Sequence, residues 1–396
     1  MIGRNARPGI RHKKLKFRIV NYAVANLQGD YLIISNKLLY GEGNFVEKYR
    51  EYRSSTPGGN YNAKVYDIDE LADQFAFGIK KHPLSVKNFL RYARSSFAPK
   101  PKFVFLIGKA VTYNQYRFNE SSKYDELLNL VPTFGWPASD NLLASDDLEP
   151  LPGTPVGRLA VIRPSEIENY LEKVKTYELA QKSTIQTIAE KAWMKTNVHI
   201  TGANDPGIEP ALTNYLNGYR DTISKPSFGA NVFSFNRATT GPETPQTNAL
   251  MQKFFHDGIS IINYFGHSAA ISLDYNLNSP DQFDNYGKYP VFIVNGCNAG
   301  NIFSFDTARF QVISSLSENF VLAKDRGTIA FIASTHFGVP NYLDLLNQGF
   351  YQSLSNSGYG KPLGINVSAA LQKTLAGRFD STTQHLHAEE NLLHGD

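Results

Sequence analysis

The chain has 396 residues, of which 42% are apolar and 19% charged, and it carries a net charge of +4. That composition excludes a disordered or fibrous protein, and the length exceeds one ordinary core, so two subdomains are expected. No apolar run reaches the roughly 18 residues that cross a bilayer, which excludes a transmembrane segment of that kind.

No h-region follows Met1, so no secretory signal is read, and the basic opening and abrupt close read as a piece of a longer protein. Much of the positive charge falls in the run Arg11 to Arg18. Clustered cations can meet phosphates, but no nucleic-acid module follows the run, so it reads as a solvated arm. A single cysteine excludes an internal disulfide and Cys-rich zinc sites.

Along the chain, Tyr31–Ser35 is the first strand. A helix opens after Pro83, with Leu84, Phe89, Leu90, Ala93 and Phe97 on one face. Lys102–Gly108 is a strand closed by glycine, and a Pro/Gly/Asp-rich loop region runs from Val131 to Gly157. The strand Gly157–Ile162 leads to a helix from Pro164 to about Ala180, with Ile167, Tyr170, Leu171, Val174 and Tyr177 at helical spacing. Gln181–Thr187 reads as a linker.

Beyond it come a strand at Asn197–Gly202, a helix near Glu209–Tyr219 and a strand at Asn231–Phe235. A helix at Gln246–His256 is expected to bury Leu250 and Phe254. Ile259–Gly266, Pro290–Gly296 and Thr328–Ser334 are further strands. The expected organisation is a basic arm at 1–28, an α/β subdomain at 29–184 and a second at 185–396. Strands interleaved with helices imply a mostly parallel sheet flanked by helices, whose ligands bind beyond the strands' carboxyl ends.

Two of those ends carry chemistry. His267 follows one strand and Cys297, the sole cysteine, follows another, 30 residues on. A thiolate nucleophile needs an imidazole that lowers its basicity and protonates the leaving amine. Gly266 and Gly296 allow tight turns and close substrate approach. Taken alone, each residue also suits a structural role, the cysteine as inert core.

The segments Tyr264-Phe265-Gly266-His267 and Val294-Asn295-Gly296-Cys297 resemble the His and Cys motifs of the gingipain-type cysteine peptidases. Tyr31–Ile34, Phe75–Gly78, Ser139–Asn141 with Val156–Leu159, Gly327–Ala330 and Asn391–Leu393 resemble other motifs of that family, in order. The resemblance implies a caspase-like α/β fold in two subdomains, and a cysteine endopeptidase or transpeptidase working through a thioester on Cys297 with His267. It implies backbone N–H groups of Ser268 and Cys297 as the oxyanion donors. Within that family the chain resembles the sortase-like peptidases of the type IX secretion system. That likeness implies a secreted or outer-membrane surface location, a protein or peptide substrate and secretion-system subunits as partners. The alternative is an inactive peptidase fold that binds cargo or partner subunits.

Three positions depart from the family pattern. Ser268 stands where glycine is common, and Lys109 where many members carry an acid. Asn204 stands at the position of the acid that orients the histidine, with Asp205 next to it. Either Asn204 or Asp205 suits that orienting role, and either suits a helix cap. No cofactor is expected. Structural calcium at Asp140, Asp146 and Asp147 lacks a supporting motif, and His385, His387 and His394 with Glu389 and Glu390 read as solvated rather than metal-binding residues. No acid is identified that would confer a preference for basic residues before the scissile bond.

Overall fold

A computed structural model describes residues 20–146, 149–183, 186–203, 205, 207–236 and 245–396. The basic run at 11–18 and the linker residues Thr184 and Ile185 lie outside them.

Among the described residues ten strands form one sheet: β1 (Tyr31–Ser35), β2 (Ala63–Asp67), β3 (Phe103–Ile107), β4 (Val156–Leu159), β5 (Thr196–Gly202), β6 (Asn231–Asn236), β7 (Ile261–Gly266), β8 (Val291–Asn295), β9 (Ala330–Ser334) and β10 (Asn391–His394). Their order is β2-β1-β3-β4-β10-β9-β8-β7-β5-β6. Strands β1 to β4 are mutually parallel, as are β5 to β9. Between the two groups lies β10, the last strand in the chain, antiparallel to β9. The sheet is therefore continuous across both halves.

The apolar runs become fully buried central strands because helices cover both faces, as parallel pairing requires. The helices used below are α1 (Leu84–Ser96), α2 (Pro164–Lys182), α3 (Glu209–Ile223), α4 (Pro340–Leu354), α5 (Leu363–Leu375) and α6 (Ser381–Glu389). In α1, Val86, Phe89, Leu90 and Ala93 pack with Leu32, Ile34 and Leu106. Each large side chain there contributes roughly 1.5–3 kcal/mol by leaving water. On the other face, α2 sends Ile167, Tyr170, Leu171 and Val174 into a core that also holds Phe292, Phe331 and Ala333, so one core spans both halves.

Two sequence expectations are corrected. The helix at Pro245–Asp257 buries Met251 and Phe255, while Leu250 is exposed. A 3.6-residue period fixes the width of the apolar stripe but not which of two adjacent stripes meets the sheet. The stretch from Val131 to Gly157 also contains a short helix, Asn141–Ala144.

Candidate active site

Strands β7 and β8 are parallel neighbours, with Phe265 paired to Asn295. Continuing that register two residues past this pair sets His267 opposite Cys297, at the edge where open α/β sheets bind ligands. The backbones converge tightly there. A Cβ on Gly296 would stand 2.2 Å from Ser268 Oγ and 2.5 Å from Gly266 O, so only glycine fits. Ser268 Oγ donates to Cys297 O at 2.8 Å, tying the two turns together. Tyr264 Oη donates to His267 O at 2.5 Å and accepts from Asp274 N at 3.1 Å, which fixes the histidine's backbone.

The turn after the nucleophile candidate is sharp. Asn298 takes φ +60°, a left-handed conformation that Asn tolerates. Its N–H donates to His336 O at 2.6 Å. The thiol is free and half-buried, and Gly338 N–H donates to its sulfur at 3.4 Å. Beside Gly338, Phe337 is exposed; His336 lies between it and the exposed Trp136, with ring centroids 4.3 and 5.4 Å away.

The ladder between β7 and β8 stops short of Cys297. Val291 N–H donates to Ser260 O. Repeating that pattern every second residue would assign Cys297 N–H to Gly266 O. No such bond forms, and among the described residues neither Cys297 N–H nor Ser268 N–H has an acceptor. The imidazole of His267 is exposed and makes no hydrogen bond among the described residues.

Of the two candidates for the orienting role, Asn204 lies outside the described residues. Asp205 is exposed, accepts from Gly207 N–H at 2.8 Å through Oδ1, and offers its carbonyl to Ile208 and Glu209 at the start of α3. Those bonds form a turn leading into the helix, whose own N-cap, Ile208, has no side-chain cap bond.

Other residues singled out by sequence are engaged elsewhere. Lys109 is buried, donating to Ile302 O at 2.7 Å and to both oxygens of Glu318 at 3.0 Å. Arg309 completes the cluster, reaching Glu318 and Glu166 at 2.8 Å each. These cations hold the Glu318 carboxyl down at about 2 against the desolvation that would raise it. Asp140 forms a buried bidentate pair with Arg158, at 2.6 and 2.7 Å. The pairing of these two motif segments, Ser139–Asn141 and Val156–Leu159, is thus a structural lock, and that carboxylate is engaged by Arg158. Asp146 pairs with Arg94, and Asp147 lies outside the described residues. His394 is buried, accepting from Ala160 N–H at 3.1 Å, and His387 accepts from Val339 N–H at 2.9 Å. Among the described residues no cluster of His, Cys, Asp and Glu is arranged to hold a metal ion.

The sequence profile of peptidase family C25, the gingipain family, matches residues 25–396. The chain belongs to that family. It is a cysteine peptidase with a caspase-like α/β fold. The crystal structure of gingipain R, an Arg-specific cysteine proteinase, superposes with a TM-score of 0.66 at 14% identity, over 93% of this chain and 77% of that one. A complex of the pro- and mature domains of RgpB from Porphyromonas gingivalis gives 0.66 at 15% identity, over 93% and 78%. A structure described only as a protease gives 0.63 at 16% identity, over 92% and 77%. No curated protein sequence matches the chain. Among the described residues no helix is long and apolar enough to cross a membrane.

Proposed function

We propose that this C25 peptidase is an endopeptidase or transpeptidase that works by acyl transfer through Cys297 and His267. The supporting observation is the convergence of the sole cysteine and His267 on adjacent parallel strands, with the N–H groups of Ser268 and Cys297 left without acceptors. The Cys297 thiolate attacks the scissile carbonyl carbon, and the π electrons move to oxygen. The two N–H groups stabilise that oxyanion. Collapse breaks the C–N bond, and protonated His267 delivers its proton to the departing amine. Water, or an amine acceptor, then attacks the thioester while His267 takes its proton, and the thiolate leaves. The group that orients His267 is Asn204 or Asp205.

The ordered motif set supports a role in the type IX secretion system, in which secreted proteins are cut at the outer-membrane surface and secretion-system subunits act as partners. An incubation of the protein with an unfolded protein substrate, with and without an added amine acceptor, tests this reading. Cleavage that vanishes in Cys297→Ser, with amine-joined product in the second arm, is expected of a transpeptidase. Cleavage without joined product leaves an endopeptidase, and no cleavage in either arm leaves a peptidase fold that binds cargo.

A further inference from the structure

The core beneath the candidate dyad contains a polar network. His199, Asn263, Asn295, Asn347 and Tyr351 are buried to within 1% of complete inaccessibility. Asn347 and Tyr351 lie one turn apart on α4 and face the sheet. Asn347 Nδ2 donates to Leu343 O at 2.8 Å and to Asn295 Oδ1 at 2.5 Å, while its Oδ1 accepts from Asn263 Nδ2 at 2.9 Å. Asn295 Nδ2 reaches Asn263 Oδ1 at 2.8 Å. Asn263 Nδ2 also donates to Tyr351 Oη at 3.1 Å, which lies 2.9 Å from His199 Nε2. His199 Nδ1 faces Leu216 O at 3.2 Å. A neutral ring with its proton on Nδ1 satisfies every one of these bonds, and burial holds His199 at about 4, so the ring is neutral at ordinary pH.

Three strands are tied by this network, each leading to a residue of the proposed site. Asn295 precedes Cys297 by two residues on β8, Asn263 precedes His267 by four on β7, and His199 lies on β5, which leads to Asn204. Replacing neutral hydrogen-bond partners by apolar groups of the same shape can be nearly neutral for stability. A satisfied polar network instead selects one arrangement of helix against strands.

The other end of α4 shows what that arrangement delivers. Gly338, two residues before the helix, donates its N–H to Cys297 Sγ. A Cβ at Gly338 would lie 2.7 Å from both Gly296 O and Leu343 Cδ1, so the approach requires glycine. The neighbouring Val339 N–H is held by His387 Nε2 and the His336 carbonyl by Asn298 N–H.

We infer that α4 is a positioning element for the nucleophile: its buried Asn347 and Tyr351 lock it onto β7 and β8 so that Gly338 presents its N–H to the Cys297 sulfur and stabilises the thiolate. This rests on the reading of Cys297 as nucleophile, and the test separates the two. Labelling by iodoacetamide reports thiolate alone and needs no substrate pocket, and the chain has one cysteine. Its rate is followed against pH for the wild type, Asn347→Leu, Tyr351→Phe and His267→Ala, with circular dichroism confirming folding. In Asn347→Leu, half-maximal labelling is expected to move to higher pH, with a loss of about tenfold at neutral pH. Tyr351→Phe deletes one oxygen and carries the test should Asn347→Leu not fold, with a loss of about threefold in the same direction. Curves superimposable on the wild type, in folded variants that merely melt earlier, overturn the positioning role. An unchanged curve for His267→Ala beside a shifted curve for Asn347→Leu sinks the dyad and leaves the α4 inference standing.

Discussion

The strand ends of the two halves of the sheet are used in opposite ways. Around β3 and β4, the charged groups are consumed: Lys109 and Arg309 close on Glu318, Arg309 on Glu166, and Arg158, within β4, on Asp140, all buried. Beyond β7 and β8, among the described residues, an imidazole and two N–H groups are left unspent by internal hydrogen bonding, and the thiol meets only Gly338, whose N–H donates to the sulfur at 3.4 Å and whose carbonyl lies 3.9 Å from it. One architecture serves as a clamp in its first half and carries the proposed reaction site in its second. A perturbed, charged strand end is therefore poor evidence of catalysis by itself; what marks the site is reactive capacity that the fold does not use up.

The comparison breaks most visibly under mutation. Glu318→Gln leaves two buried cations short of a counter-charge and is expected to cost about 3–5 kcal/mol of stability, measured by urea unfolding. Cys297→Ser is expected to change stability by no more than about 0.5 kcal/mol while abolishing cleavage. A clamp variant that unfolds like wild type, or a Cys297→Ser variant that unfolds readily, removes the distinction.

Next in size is the acid limb. His199 falls from 6.5 to about 4 on folding, because burial disfavours its charged form. The unfolded chain binds the extra proton, so this stability is present above pH 6.5 and is lost as pH falls through 4, amounting to about 3 kcal/mol. Glu318 falls from 4.5 to about 2, so its contribution is lost as pH drops from 4.5 through 2. Glu390 has the opposite sign: burial raises it from 4.5 to about 8, against the lowering influence of the nearby Ser334 hydroxyl. Its contribution is lost as pH rises from 4.5 through 8. Melting temperatures measured across pH should fall on the acid side in the wild type and in Cys297→Ser alike, and Glu390→Gln should raise them on the alkaline side.

The smallest expected effect sharpens the picture of the site. Ser268→Gly removes the 2.8 Å bond to the Cys297 carbonyl but keeps both N–H groups. It is expected to lower kcat/KM by about threefold to tenfold with little change in stability, since a single neutral hydrogen bond is worth about 1 kcal/mol. A drop as large as that of His267→Ala would show that the serine does more than tie the turns.

Local signals carried the fold a long way. Buried strands such as Val291–Asn295 and helices such as Pro164–Lys182 announce themselves by apolar runs and helical spacing. The edge strand Ala63–Asp67 does not, since Lys64 and Asp67 interrupt it. Asn391–His394 is too short to be recognised as a strand, and it finds its place only between β4 and β9. The candidate dyad was legible because each member follows a buried strand. Gly338, Asn347 and Lys109 were not legible as a positioning donor, a network centre and a clamp. Their partners lie 41, 52 and 209 residues away in the chain, and no local pattern encodes such pairings.

The most direct test of the central claim is intact-mass labelling by a panel of peptidyl electrophiles, on the wild type and on His267→Ala. Rapid modification at Cys297 that collapses in His267→Ala is the expected result. Slow modification indifferent to the loss of His267 would contradict the dyad and with it the proposed acyl-transfer mechanism.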